Sequence, residues 1–210
     1  INTFLLLFLF FTACENDKKS ILKESNKINS FFETYFNDKV DRSPMYQARL
    51  GIKKDYDKWD DISPKSDTLE LRIAKNALQW IKDSININLL NDQTELSYRL
   101  FKQDLENQIK DFKYRLYSYP VNQMYGYHSR VPAFLINIHK VDSKKDAEDY
   151  IVRLTGIKDL FNQLEKNLIE RELVGIMPPQ FVYHHVIDDS KNIISGLPFN
   201  GTDSSALFKD

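Results

Sequence analysis

The sequence has a single cysteine, only 6 glycines and 7 prolines among 210 residues, and almost no net charge. One cysteine excludes an internal disulfide framework, and so little glycine and proline excludes collagen-like and most disordered chains. Because 29 basic and 30 acidic side chains give a net charge of -1, no overall positive field would attract nucleic acid. We therefore expect no nucleic-acid partner. Hydrophobic residues make up 42% of the chain, which is enough to build a globular core.

The most distinctive apolar run, residues 4–11 (FLLLFLFF), lies at the start of the chain. Such a run is too short to cross a bilayer. It is followed at once by Thr12, Ala13 and Cys14. This order is typical of a lipoprotein signal, in which the cysteine thiol is alkylated by diacylglycerol and the cysteine becomes the mature N-terminus. The alternative is a buried core segment with an ordinary buried cysteine.

The lipoprotein interpretation divides the chain into a signal peptide (residues 1–13), a lipidated tether (14–20) and a helical part (21–210). Since the chain begins with Ile1 and carries no basic residue before the apolar run, we expect the true start to lie a few residues upstream. The segment 15–20 (ENDKKS) is polar and is predicted to be a helix-poor tether leading away from a membrane surface.

Beyond the tether, apolar residues recur every three or four positions, as in amphipathic helices. This spacing predicts long helices over 69–85, with Ser66 or Asp67 as N-cap, over 96–116, and from Ser143 to about Gly175. The short link at residues 91–92 predicts that the first two run antiparallel. Weaker patterns predict an earlier helix at 21–37 with an aromatic face, and a brief one from Pro44 to Leu50. The expected buried stripes are Leu69, Ile73, Ala77, Ile81 and Ile85; Leu96, Leu100, Leu105, Ile109, Phe112 and Leu116; and Tyr150, Ile151, Leu154, Ile157, Phe161, Leu164 and Leu168.

No run of alternating polar and apolar residues predicts a strand, and no repeat with a period of about 30 to 45 residues is present. The fold class expected is therefore all-α. We predict an irregular bundle of long antiparallel helices that forms an incomplete part of a larger helical domain.

The stretch least like the rest is residues 117–140, which combines aromatic rings with many hydrogen-bonding side chains. We predict a structured loop at 117–130 and a short apolar helix at 131–139 with Pro132 in its first turn. Such a loop could line a ligand cleft. The alternative is that its side chains satisfy one another and the loop backbone while covering a helix pair. The candidate cleft-lining residues are Asn122, Gln123, Tyr125, His128 and Arg130.

The four histidines do not have the spacing of a zinc site. His184 and His185 are adjacent and cannot share a helix face, and His128 and His139 lie in different predicted elements. The sequence contains no His-Glu-x-x-His, no Gly-x-Ser-x-Gly and no phosphate-binding glycine loop. We therefore predict no catalytic residue, no metal ligand and no cofactor within this chain.

A series of short motifs resembles the bacterial lipoproteins and secreted proteins grouped as domain of unknown function 885, which are regarded as zincin-like helical metallopeptidase relatives. Members of that family are several hundred residues longer and carry a His-Glu-x-x-Pro-Gly-His zinc motif in their later part. The resemblance therefore implies that this chain is the N-terminal portion only. The matching motifs are Ser43-Pro44 with Ala48, Leu50 and Gly51; Tyr56-Asp57 and Trp59-Asp60-Asp61; Tyr119-Pro120 with Asn122, Gln123 and Gly126; Pro132 with Asn137 and His139; and Gly175-Ile176 with Pro178-Pro179.

The function implied by this resemblance is that of an N-terminal fragment of a lipid-anchored cell-envelope protein of the zincin-like metallopeptidase type. Zinc would be the cofactor of the full-length protein and a peptide its substrate, while this chain alone would be inactive. The implied location is the bacterial cell envelope, with Cys14 anchoring the protein to a membrane after export. The alternative is a non-catalytic helical envelope lipoprotein that binds a ligand or protein partner through its aromatic loop.

Overall fold

A computed structural model describes the backbone of residues 2–195 and the side chains of residues 17–193. The fold is all-α, which confirms the predicted class. Within the described residues the only β-type pairing is an isolated antiparallel bridge between Val121 and Gly126. Short 3-10 helices form at Ile87–Leu89 and Phe112–Tyr117. The α-helices in chain order are α1 (Asn2–Asp41), α2 (Pro44–Arg49), α3 (Pro64–Ser84), α4 (Asp92–Asp111), α5 (Tyr127–Asn137), α6 (Lys144–Leu173) and α7 (Gln180–Ser195).

The chain divides into two compact units. Unit 1 comprises Ile1–Ser43 and Pro64–Lys113, and unit 2 comprises Pro44–Ser63 and Tyr114–Asp210. Each unit therefore joins two separate stretches of sequence.

Unit 1 packs α1, α3 and α4 around one apolar core. Phe31 of α1 stacks on Trp80 of α3 with ring centroids 4.1 Å apart, and Phe101 of α4 contacts the ring of Phe32 edge-on at 5.0 Å. The aromatic face predicted for this part of α1 is thus the face that packs on the other two helices. The buried core residues are Ile28, Ala74, Ala77, Ile81, Ile85, Leu90, Tyr98 and Leu105.

The link between α3 and α4 is fixed by side chains. The side-chain oxygen of Asn91 accepts a hydrogen bond from the backbone N–H of Thr94 at 2.9 Å and so caps α4. The buried hydroxyl of Ser25 in α1 accepts from the backbone N–H of Asn91 at 3.1 Å. These bonds place the turn where the sequence predicted it.

The stripe predicted for α4 is wrong at two positions. Leu96 and Leu100 are 55% and 59% exposed, whereas Tyr98 and Leu105 are buried. Leu96 and Tyr98 are two residues apart, and this spacing separates their side chains by about 200° around a helix. Only one of the two can therefore face the core. The helix also ends earlier than predicted, because the backbone tightens into the 3-10 helix Phe112–Tyr117.

Helix α1 is longer than the predicted 21–37. It is continuous from Asn2 to Asp41, so the helix-poor tether predicted for residues 15–20 was wrong. No proline or glycine interrupts this segment, and its backbone can therefore sustain helical hydrogen bonds throughout. The side chain of Cys14 lies outside the described side chains, and its lipidation stays a prediction. Among the described helices, none has the length and apolarity needed to cross a membrane.

Helix α3 begins at Pro64, earlier than the predicted cap at Ser66 or Asp67. Proline suits this first position because its missing N–H would have no partner inside the helix there. Asp67 instead lies within the first turn.

Unit 2 is organised around α6. The hydroxyl of Ser143 accepts from the backbone N–H of Asp146 at 3.2 Å and so caps α6 at its predicted start. Gly175 ends the helix in the left-handed region with φ 75°, and the backbone N–H of Ile176 donates to the carbonyl of Arg171 at 2.9 Å. The stripe predicted for this helix is wrong at Ile151, which is 62% exposed.

The inward face of α6 carries an arginine. Arg153, Leu160 and Leu164 are buried, whereas Leu154 of the predicted stripe is 43% exposed. Arg153 therefore faces the core at the place where the apolar pattern predicted Leu154.

Helix α5 begins at Tyr127, earlier than predicted, and Pro132 lies inside it. Gly126 is the N-cap, and its carbonyl accepts from the backbone N–H of Arg130 at 2.8 Å. Pro132 has no N–H to donate to the carbonyl four residues back, which costs the helix one bond. Phe134, with Val131 and Leu135, is buried in the unit 2 core, and this packing offsets the loss. The predicted loop is therefore shorter than 117–130.

Candidate functional site

The loop between the second 3-10 helix and α5 is a tight turn closed by the bridge between Val121 and Gly126. The backbone N–H of Asn122 donates to the carbonyl of Tyr125 at 3.0 Å. The side-chain oxygen of Asn122 accepts from the backbone N–H groups of Met124 at 2.8 Å and Tyr125 at 2.9 Å. Asn122 thus stabilises the turn itself, in an Asx-type arrangement.

Gly126 is required by close packing within this turn. A Cβ at that position would lie 2.7 Å from the Cα of Val121 and 2.9 Å from the carbonyl oxygen of Pro120. Both neighbours are backbone atoms, which cannot move aside as a flexible side chain could. The turn therefore depends on glycine at this position.

His128 lies beneath this turn in the first turn of α5. Its residue exposure is 5%, and its Nε2 lies 3.4 Å from Oδ2 of Asp189 in α7. Its Nδ1 is buried without a hydrogen-bond partner among the described residues. The imidazole therefore joins α5 to α7 through one nitrogen only.

The other candidate cleft residues lie at the surface of the loop and of α5. Gln123, Tyr125 and Arg130 are exposed, and the Arg130 guanidinium carbon lies 5.5 Å from the centroid of the Tyr127 ring. The structure therefore separates the five candidates into one buried histidine, one turn-forming asparagine and three exposed side chains.

A cavity of about 290 Å³ lies beside the loop within unit 2. None of the five candidate residues lines it. The loop contributes Tyr119, Pro120 and Val121, and the rest of the wall comes from the end of α6, the segment after it and the start of α7. The lining residues outside the loop are Leu168, Arg171, Glu172, Ile176, Met177, Pro178 and Tyr183.

Two charged residues at the end of α6 line this cavity. The Arg171 guanidinium donates to the carbonyls of Ser118 at 3.0 Å, Arg115 at 3.3 Å and Asn167 at 2.9 Å. These bonds tie the end of the 3-10 helix to α6. The Glu172 side chain is exposed and has no hydrogen bond or ion pair with another residue in the described range 17–193.

A second cluster surrounds the buried guanidinium of Arg153, which is 0% exposed. Its Nε and Nη2 donate to the carbonyl of Lys58 at 3.0 and 2.8 Å, and its Nη1 donates to Nδ1 of His139 at 2.8 Å. The guanidinium carbon lies 5.3 Å from the ring centroid of Tyr56 and 4.9 Å from that of Phe134. Burial lowers the pKa of Arg153, but a guanidinium stays protonated in proteins.

His139 is fixed in one tautomer by its two neighbours. Its Nε2 lies 3.0 Å from the backbone carbonyl of Asp146, which can only accept, so Nε2 carries the proton. Its Nδ1 must then be the acceptor for Arg153. Burial lowers the pKa of His139, and the charge of Arg153 acts in the same direction. The ring also stacks on Tyr56 at a centroid distance of 4.0 Å.

The start of α6 is bound to the same region through an ion pair. Lys53 Nζ lies 2.8 Å from Oδ2 of Asp146, and this bond lowers the pKa of the Asp146 carboxyl to about 2. The same carboxylate accepts from the backbone N–H of Asp142 at 3.0 Å. The polar groups of the Arg153 cluster and of this ion pair are hydrogen-bonded or ion-paired to other groups of the protein. These bonds hold α6 in place.

The family model of DUF885, described as a bacterial protein of unknown function, matches residues 44–210. The chain belongs to the DUF885 family. The match begins at Pro44, the first residue of α2. Neither a curated protein nor a solved structure matches the chain.

Several residues of the DUF885 motifs found in the sequence lie in one of two places in unit 2. Tyr56 and Trp59 pack around Arg153 together with His139, and the indole N–H of Trp59 donates to the carbonyl of Arg153 at 2.7 Å. Tyr119-Pro120 and Pro178 line the cavity. Sequence reasoning missed Arg153 itself, although a basic residue on the apolar stripe of a helix is a signal that could have identified it.

The described residues of this DUF885 chain do not fit a zinc site. Within residues 17–193 no group of three or more His, Cys, Asp or Glu side chains could hold a metal ion. Both nitrogens of His139 are bonded to protein groups, and His184 and His185 are exposed on α7. We therefore derive no catalytic step through zinc from these residues.

Proposed function

We propose that this chain is the helical N-terminal portion of a lipid-anchored, cell-envelope protein of the zincin-like metallopeptidase type. The observation that carries the proposal is the DUF885 match over residues 44–210, together with the apolar run 4–11 and Cys14 ahead of it in the same chain. An apolar run that is too short to span a bilayer and stops just before a cysteine suits export followed by lipidation.

The two clusters of unit 2 would have different roles in this function. The Arg153 cluster is saturated with protein partners and gives the region rigidity. The cavity beside the loop is lined by apolar side chains and by the exposed Glu172. It would contribute to substrate binding. The zinc ligands and the general base would come from the zinc motif that the resemblance places later in the family's chains.

The anchor can be tested by lipid labelling in a bacterial host. The chain, given a start codon and a basic leader, should incorporate labelled palmitate and sediment with membranes. Cys14→Ala should lose both properties, whereas Thr12→Ser, which keeps the cysteine, should retain them. Equal labelling of the Cys14→Ala variant would contradict the lipoprotein assignment.

A second function, ligand binding without catalysis, is favoured by the cavity of about 290 Å³. Purified full-length protein distinguishes the two. Stoichiometric zinc and hydrolysis of unstructured peptides would support the peptidase type, whereas peptide binding with neither property would support the binding protein.

A further inference from the structure

The cavity beside the loop is lined by a glutamate that has no ion pair with any residue in the range 17–193. This residue, Glu172, lies on the last turn of α6. A ligand with a cationic group would supply the missing partner, and a hydrogen bond between unlike charges is stronger than one between neutral groups.

Arg171 is the basic residue nearest to Glu172 in sequence, but its guanidinium is bonded to backbone carbonyls. Its donors are bonded to the carbonyls of Ser118, Arg115 and Asn167. The carbonyls of Arg115 and Ser118 lie at the C-terminal end of the 3-10 helix, where backbone dipoles favour a cation. Arg171 thus acts as a cap for that helix, and the carboxylate of Glu172 stays available to a ligand.

The remaining walls suit an aliphatic stem that ends in a cation. Leu168, Ile176 and Met177 provide apolar surface, and the rings of Tyr119 and Tyr183 flank the same space. Aromatic faces attract cations within about 6 Å, and long basic side chains bury their methylene stems along apolar surface while the charge stays near water. The cavity volume of about 290 Å³ leaves room for a side chain to enter.

We propose that this cavity binds a basic side chain of a peptide, with its cationic group at Glu172 and its stem against Leu168, Ile176 and Met177. The proposal deepens the proposed function by naming the kind of residue that the substrate presents. The choice of a peptide as the ligand rests on the proposed function. The binding site is inferred from the residues that line the cavity and does not depend on that function.

The experiment measures binding to the ¹⁵N-labelled 210-residue chain by chemical-shift titration. The probes are acetyl-Ala-Lys-Ala-amide and the same tripeptide with norleucine, which keeps the stem and removes the charge. We expect the lysine peptide to bind roughly two- to five-fold more tightly, the range of an exposed ion pair. The shifts should centre on the cavity, and the preference should shrink at high salt.

Variants on one helix separate the carboxylate from general effects. Glu172→Gln should remove the preference for lysine, and Glu165→Gln, another exposed glutamate of α6 that does not line the cavity, should retain it. Met177→Trp should weaken both peptides by filling the space. Equal binding of the two peptides by the unmodified chain, or a preference that survives in Glu172→Gln, would overturn the proposal. Because no turnover is measured, this result is independent of whether the full-length protein is a peptidase.

Discussion

Acidification should destabilise unit 2 through His139. In the folded chain its Nδ1 accepts from Arg153, so a proton on Nδ1 would place two donors 2.8 Å apart, both on cations. Burial and this neighbouring charge lower its pKa in the folded state below the ordinary value of 6.5. The unfolded chain therefore binds more protons than the folded chain below about pH 6.5, and the free energy of unfolding falls as the pH falls.

The size of the effect follows from linkage. One histidine that is protonated only when unfolded gives a slope of about 1.36 kcal/mol per pH unit. The contribution is fully present above pH 6.5 and is lost as the pH falls toward the pKa of the folded state. Between pH 7 and pH 5 the loss reaches at most about 2 kcal/mol, which is a substantial part of the stability of an ordinary domain.

Urea unfolding at pH 5, 6, 7 and 8 tests this reasoning. His139→Gln keeps a donor and an acceptor but cannot titrate, so its free energy of unfolding should depend less on pH than that of the unmodified chain. His184→Gln, which changes an exposed histidine on α7 outside the Arg153 cluster, is the matched control variant. If His139→Gln and the unmodified chain lose the same free energy between pH 7 and pH 5, the assigned tautomer and its role are wrong.

Three further substitutions test local packing and hydrogen bonding by the same unfolding measurement. Gly126→Ala should destabilise unit 2 by about 1–3 kcal/mol, because the new methyl would lie 2.7 Å from the Cα of Val121; a neutral result would contradict the close approach. Tyr56→Phe should cost about 1–3 kcal/mol, since the backbone N–H of Lys140 loses its acceptor at 2.7 Å, and an unchanged midpoint would argue against this bond. Ser143→Ala should cost about 1 kcal/mol and Ser143→Asp much less; similar losses in both variants would show that capping is not the cause.

The helical class and several helix ends could be predicted from the sequence because they depend on local chemistry. The cap at Ser143 and the turn at Asn91 use side chains that bond to the backbone a few residues away. The start of α5 could not be predicted by the same means, because the turn that precedes it depends on the contact of Gly126 with Val121. That contact requires the fold of the loop to be known.

The core of unit 2 was the least predictable part. Apolar spacing places hydrophobic residues inside and treats an arginine as exposed, so Arg153 was overlooked. Its burial depends on carbonyl groups and rings from residues far away in sequence, such as Lys58 and Tyr56. Composition likewise identified the loop but could not tell which of its side chains would be buried, as His128 is, and which would face solvent, as Gln123 does.

The most direct test of the central claim is to read the native gene beyond the codon for Asp210. The account predicts that the reading frame continues and encodes the His-Glu-x-x-Pro-Gly-His motif, whose histidines would supply zinc ligands. A stop codon immediately after Asp210 would contradict it.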